Sequence, residues 1–375
     1  MEQADIELSN RRHKLWQALP DAIEIVVLLT NAHFTKSKDL CFLFRPHSNV
    51  IYLSGCTMPA TLVLLHKHQL LPTIISENFQ DEISKLKSTQ VAYSYDPSTF
   101  YPRSDPSHAA VLEHIKGSLW HNCTNTIFRL RVQKSKAEVA QIRTACQATA
   151  TAMSTLEAMS RMTPRLSEID LAAWVNIVFT RRLTECCAFD SIVAVDAHAV
   201  NWHHVPTSTC VGSRMLVDIG AHKNYYAADM TRTWATKTVH DPMFAWMLNG
   251  VKLAHSTALK VCVPGKNQLE VEAVAQQVLK TECNARNIYG EQACCPHFIT
   301  HWVGLDVHDV GNREITFEPD MTLAVEPALY IKNIGVRWEN TIRITEAECE
   351  ILTLCDTDSV AYSSLHAAQG SLHMY

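Results

Sequence analysis

The sequence predicts an α+β catalytic domain behind a smaller α/β domain, and three observations carry that reading. The first third alternates short apolar runs with turn-forming residues, a long stretch free of glycine and proline starts at Lys136, and beyond residue 190 short strands frame one pair of helices. A chain of 375 residues has room for two domains of roughly 100 to 200 residues each.

Taken in order, Ile23 to Leu29, Leu40 to Phe44, Val50 to Leu53 and Thr61 to His66 read as strands bounded by turn formers. Phe128 to Ser135 leads into a helix predicted over Lys136 to Met159, a run rich in Ala, Gln and Met. The domain boundary is placed just before it, near residue 125, giving domains 1–125 and 126–375. A second helix is predicted over Leu166 to Arg182, with Ser167 as its capping side chain. The predicted strands that follow are Ser191 to Val195, Met215 to Ile219, Met230 to Ala235, Thr322 to Ile331 and Val336 to Thr345. Between them lie helices from about Asp241 to Cys262 and Leu269 to Ala285, parted by the Pro264-Gly265 turn.

Composition narrows the function. Apolar residues make up 47% and charged residues 19%, as in globular proteins, and the net charge is only −5. No basic stripe with interleaved aromatics is present, so nucleic acid is not the expected partner; a small substrate or another protein is. The run AIEIVVLLT is interrupted by Glu24 and falls far short of the roughly 20 residues a bilayer span requires. The opening MEQADIELSN has no apolar core, so a cleaved secretory leader is not expected. Thirteen cysteines without a C-x-x-C then suit a reducing cytosol. The adjacent pairs Cys186-Cys187 and Cys294-Cys295 read as small buried hydrophobes, with thiol redox chemistry as the lesser alternative.

The chemistry concentrates in four segments. MLVDIGAHKNYYAADMTRTW puts Asp218 and Asp229 on two strands joined by a turn containing Gly220 and Asn224, so two carboxylates should meet across a hairpin. Aspartate is poor in strands, and buried carboxylates need a partner or a metal. HWVGLDVHDVG sets His301 and His308 on either side of a glycine-containing turn. LAVEPALY ends an apolar strand on Glu326, and GVRWENTIRI places Arg337 and Glu339 two apart, on one strand face. Each alone reads as readily as a core histidine, an edge glutamate or a salt-bridged pair. Together they form an Asp, Asp, His, Glu, Glu set that suits two hard or borderline divalent ions and, through them, amide hydrolysis.

These residues resemble the pita-bread metallopeptidases, and within them the Xaa-Pro aminopeptidases (aminopeptidase P) of family M24B. DIG-x8-DMTRTW, HWVGLDVHDVG, VEPALY and VRWENTIRIT match that family's ligand series in order. FLFRPHSNVIYLSGCTMPATLVLL is similar to its creatinase-like amino-terminal domain at Arg45, Ser48, Tyr52, Gly55 and Pro59. The resemblance implies that Asp218 binds one metal, His301 and Glu326 the other, and that Asp229 and Glu339 bridge. It gives catalytic roles to His203, His308 and Arg337 and substrate contacts to His297 and Tyr330. His203 is favoured over the adjoining His204, and His198, His222 and His255 match no role. The implied cofactor is a pair of divalent ions, Mn²⁺ before Co²⁺, Zn²⁺ or Fe²⁺. The implied partner is a peptide with proline in second place, hydrolysed by a bridging hydroxide, and the implied setting is a homo-oligomer in the cytoplasm. A dipeptide-only prolidase is the alternative, followed by a metal-free binding protein and a creatinase-type hydrolase. Asp320 and Ala328 stand where glycines are usual, and Trp338 and Asn340 where the family has Ile and Asp, so altered loops and a narrower pocket are expected there.

Overall fold

The computed structural model describes residues 3–30, 35–77, 79–86, 90–94, 113, 120–182, 184–237 and 241–355. The chain divides into two compact units, Met1–Arg131 and Val132–Tyr375. Sequence alone places the boundary near 125, at the start of a helix, Thr124–Val132, whose end coincides with the observed division.

The amino-terminal unit holds helices α1 (Gln3–Ala18), α2 (Ser48–Ser54) and α3 (Phe79–Lys85), with α4 (Thr124–Val132) at its end. Its strands are β1 (Ile25–Leu29), β2 (Thr35–Ser37), β3 (Leu40–Cys41), β4 (Leu62–His66), β5 (Thr73–Ile75), β6 (Val91–Tyr93) and β7 (His121–Asn122). Five of them form one sheet in the order β5-β4-β1-β6-β7, with β1 antiparallel to β4 and parallel to β6. Val27, Leu29, Leu62, Leu64, Ile83 and Val91 form a core cluster here.

Two expectations fail in this unit. Val50–Leu53 is a helix, not a strand: the His47 side chain accepts the Asn49 N–H at its start, and Gly55 closes it at φ 67°. A four-residue apolar run fits a buried helix and a strand equally well, and here the caps decide. Arg11 and Arg12 of α1 then donate to the Tyr52 and Leu53 carbonyls left over at its end. Of Leu40 to Phe44, only Leu40–Cys41 forms a strand, paired with β2.

The carboxy-terminal unit repeats one layout, a helix pair against a sheet. Helices α5 (Lys136–Met162) and α6 (Glu168–Arg181) each open on a capping box, Ser135 with Glu138 and Ser167 with Asp170. They lie against β8 (Cys186–Cys187), β9 (Ile192–Val195), β10 (Arg214–Ile219), β11 (Ala221–Lys223), β12 (Tyr226–Ala227) and β13 (Met230–Ala235). Helix α7 (Pro242–Leu259) starts at Asp241 with proline in its first turn, and α8 (Gln268–Asn284) on an Asn267 and Glu270 capping box. This second pair lies against β14 (Thr300–Trp302), β15 (Thr322–Val325), β16 (Ala328–Ile331) and β17 (Ile334–Arg337), followed by β18 (Asn340–Ile344) and β19 (Cys349–Ile351). The sheets run β13-β10-β9 and β14-β15-β18-β19, all antiparallel. The two long strands predicted at Thr322 to Ile331 and Val336 to Thr345 are each broken, at Glu326-Pro327 and at Trp338-Glu339.

Candidate metal centre

The breaks are where the acidic side chains sit. Strands β10 and β13 pair with Asp218 opposite Thr231 and Ile219 opposite Met230, so Asp229 enters the same layer one residue before β13. Between them β11 and β12 fold over as a small hairpin with His222 opposite Ala227; its loop residues Asn224 and Tyr225 have φ of 47° and 68°, the signature of a tight twisted turn. Gly220 allows the fold-over, because a Cβ there would lie 2.0 Å from the Ala228 carbonyl oxygen. From the other half, β14 carries His301, Glu326 follows β15, and Glu339 lies between β17 and β18.

Ligating atoms of Asp218, Asp229 and Glu339 lie within 4.8 Å of one another, and so do those of His301, Glu326 and Glu339. Glu339 belongs to both groups. His301 also reaches Asp229, Nε2 to Oδ2 being 3.4 Å, against 3.5 Å to Glu326 and 3.7 Å to Glu339. Its Nδ1 donates to the Trp302 carbonyl at 3.1 Å, which turns Nε2 toward the acids. Asp218 and Asp229 are 8% and 5% exposed and Glu339 1%. Each nonetheless has an oxygen, Asp218 Oδ1, Asp229 Oδ1 and Glu339 Oε1, buried without a hydrogen-bond partner. Such atoms are costly unless a cation meets them, and an all-oxygen and imidazole donor set fits two divalent ions.

The electrostatics agree. Burial, then the neighbouring Glu339, pushes the Asp218 carboxyl up to about 6 despite Arg337, and the Glu326 carboxyl up to about 8. Asp229 is pushed well above its usual range by burial and by Glu339 and Asp218. For Glu339 burial acts in the same direction, but His301, Arg337 and Thr231 outweigh it and hold the group below its usual value. His301 behaves in mirror image: burial disfavours its charge, and Asp229 and Glu339 more than restore it.

Arg337, 3% exposed, spends its guanidinium on three partners: Asp218 at 2.6 Å, the Thr231 hydroxyl at 3.0 Å and the Tyr330 hydroxyl at 2.8 Å. Thr231 in turn donates to Glu339 at 2.7 Å. Arg337 and Glu339 thus meet at one hydroxyl, although Glu339 lies in the break between β17 and β18 and not within the strand expected for it.

A cavity of about 1190 Å³ opens onto these groups and is bordered by His203, His297, His301 and His308. The His301 and His308 rings lie 4.3 Å apart, and burial together with His301 holds His308 down to about 4. Burial also lowers His297 to about 4; its Nδ1 bonds the Phe298 carbonyl, and its ring stands 6.0 Å from Tyr330. His204 borders the cavity too, but its Nε2 is tied to Glu168 at 2.9 Å, whereas His203 is exposed.

Sequence reasoning missed Glu168 and Trp202. The fully buried Glu168 receives His198, His204, Thr207 and the Val195 N–H, and these contacts outweigh burial to hold it at about 2. Nothing in its position after a helix cap announced that role. Trp202 borders the cavity and sets its ring 5.4 Å from His297 and 6.0 Å from Tyr330.

Residues 140–346 match the family model described as metallopeptidase family M24, and the chain belongs to that family. Residues 8–82 match the aminopeptidase P N-terminal domain, so within the family this is a metallo-aminopeptidase of the M24B, or aminopeptidase P, branch with the pita-bread catalytic fold. Xaa-Pro aminopeptidase 3 of Homo sapiens is 24% identical over 93% of this chain and 83% of its own length. The Xaa-Pro dipeptidase of Pyrococcus furiosus is 28% identical over 60% of this chain and 64% of its own. Among solved structures, a putative aminopeptidase P from Bacillus anthracis superposes with a TM-score of 0.83 at 21% identity, covering 95% of this chain and 97% of that one.

Proposed function

We propose that the chain removes an amino-terminal residue that precedes proline, using two divalent ions held by Asp218, Asp229, His301, Glu326 and Glu339. The observation that carries this reading is the pair of donor groups sharing Glu339, with buried acid oxygens left over for a cation. Asp218 would face one ion, His301 and Glu326 the other, with Asp229 and Glu339 between them. When bound, the ions supply an activated water and polarise the scissile carbonyl. His203 and His308 border the same cavity and would donate to the oxyanion and move the proton toward the leaving nitrogen. Arg337 fixes Asp218 and, through Thr231, Glu339; His297 borders the cavity and would meet the prolyl ring, with Tyr330, which is not among the residues bordering the cavity, backing it at 6.0 Å. A tertiary Xaa-Pro amide has no N–H to offer, so recognition must come from ring shape, which an aromatic wall can supply.

Among the candidate ions we favour Mn²⁺, with Co²⁺, Zn²⁺ and Fe²⁺ as alternatives. The test is cleavage of Xaa-Pro-Yaa, Xaa-Pro and Xaa-Ala-Yaa peptides by chelator-stripped protein resupplied with each ion in turn. Xaa-Pro-Yaa should be cut fastest. Equal rates on Xaa-Ala-Yaa would remove the prolyl specificity, and cleavage of dipeptides alone would select the prolidase reading, which the Pyrococcus relative supports. The same reading makes the protein a cytoplasmic homo-oligomer. Light scattering should report more than one chain per particle, and among the described residues no helix is long and apolar enough to cross a membrane.

A further inference from the structure

Outside the acid cluster, a second reactive constellation reaches the same cavity through Cys186. Strand β8 pairs antiparallel with β11, and the register sets Cys186 directly opposite His222, so their side chains share one face. The Cys186 Sγ lies 2.9 Å from His222 Nε2. On the far side of the ring, His222 Nδ1 is 3.3 Å from Glu185 Oε2. Glu185 is itself held, by the Asn224 N–H at 2.8 Å and by Lys223 Nζ at 3.1 Å, both from the small hairpin. The Tyr225 ring stacks on the imidazole at an interplanar angle of 9°. A thiol at hydrogen-bond distance from an imidazole, with a carboxylate within ion-pair reach of the ring's other nitrogen, is an arrangement that activates a cysteine. None of the three belongs to the donor set of the metal centre.

We propose that Cys186 is a site of reversible thiol modification, through which low-molecular-weight disulfides close the cavity. His222 Nε2 takes the thiol proton, and the Cys186 sulfur attacks one sulfur of the disulfide. The S–S bond breaks and the second sulfur departs as thiolate with the bonding pair. Cys186 is oxidised to a mixed disulfide, and one half of the reagent is reduced. Cys186 and Cys187 both border the cavity that contains Asp218, Asp229 and Glu339, so the attached group occupies space a peptide needs. The neighbour differs: Cys187 faces Asn176 and Ser191, and burial raises its thiol above the usual range. The geometry thus singles out one cysteine of the adjacent pair.

The test exposes the metal-loaded wild-type protein to oxidised glutathione at neutral pH and follows each cysteine by peptide mapping. Cys186 should be modified about five to ten times faster than the exposed Cys41 and Cys210, which serve as references within the same molecule. Peptidase activity should fall in step and return with dithiothreitol, while adduct mass is read independently of any peptidase activity. His222→Gln should bring the Cys186 rate down to that of the references, with a thermal melt showing that the variant is folded. Equal labelling of Cys41, Cys186 and Cys210 in the wild type overturns the proposal, whatever the variant does. So does an unchanged Cys186 rate in folded His222→Gln, or full activity with Cys186 modified.

Discussion

At Thr231 one hydroxyl oxygen donates to Glu339 and accepts from Arg337, so a neutral side chain joins an anion to a cation in the protein interior. Thr231→Val keeps the shape but strands both partners, and should cost about 1 to 3 kcal/mol in denaturant unfolding. Removing a charge that faces both donor groups is a different matter. Asp229→Ala and Glu339→Ala should each lose bound metal, by elemental analysis, and with it all measurable hydrolysis; metal retained at wild-type level would sink the ligand assignment. His308 lies 4.3 Å from His301, ring to ring. His308→Ala should keep its metal and lose rate on the order of a hundredfold or more. Metal loss there would mean that the two histidines of this turn have exchanged roles.

Elements rather than residues explain where the sequence was legible. Capped helices such as α5 and α6 and the almost continuously buried strands β10 and β13 were readable because local signals and tertiary packing agree there. The strand breaks at Glu326-Pro327 and Trp338-Glu339 were not, since a pattern of apolar residues records burial but not where a ladder is interrupted to aim a carboxylate. The ligand set could be read from four ordered segments. The Glu168 brace could not, because its partners His198, His204 and Thr207 are about 30 to 40 positions away in sequence. The same holds for the Cys186 and His222 pair, which only the register of β8 against β11 reveals. Asp320, where the family has glycine, keeps glycine's backbone, at φ 68°, and offsets the strain with ion pairs to Lys136 and Arg343. Asp320→Asn should therefore cost about 1 kcal/mol, since asparagine tolerates the conformation but loses the charge. Asp320→Gly should cost less than Asp320→Asn, because relief of strain compensates. A larger loss for glycine would show that the turn is not strained.

For the whole molecule, the buried acids make stability depend on metal and on pH together. In the metal-free protein Asp218 and Glu326 keep protons to about 6 and about 8 that the unfolded chain releases near pH 4. From these two carboxyls the folded state binds more protons, so their contribution to stability is greatest at the acid end and falls as pH rises from about 4 to about 8, while His297 and His308, held down to about 4, act in the opposite sense below about 6.5. Ions in place of those protons remove the slope. Chelation should lower the melting temperature by roughly 5 to 10 °C at pH 8, as expected for losing a ligand present at about a hundred times its Kd. At pH 5.5 the drop should be smaller; calorimetry at both values checks this, and a drop independent of pH would contradict it. The donor set is also divided in a telling way. Asp218 and Asp229 come from the half that precedes α7, and His301, Glu326 and Glu339 from the half that follows it. An ion seated among them is a clasp between two half-domains as much as a reagent. Cutting the backbone between Lys237 and Asp241 should accordingly yield two fragments that reassemble more tightly when metal is supplied, adding to the bonds that Arg337 and Thr231 already make between the halves and making assembly itself a sensor of metal supply.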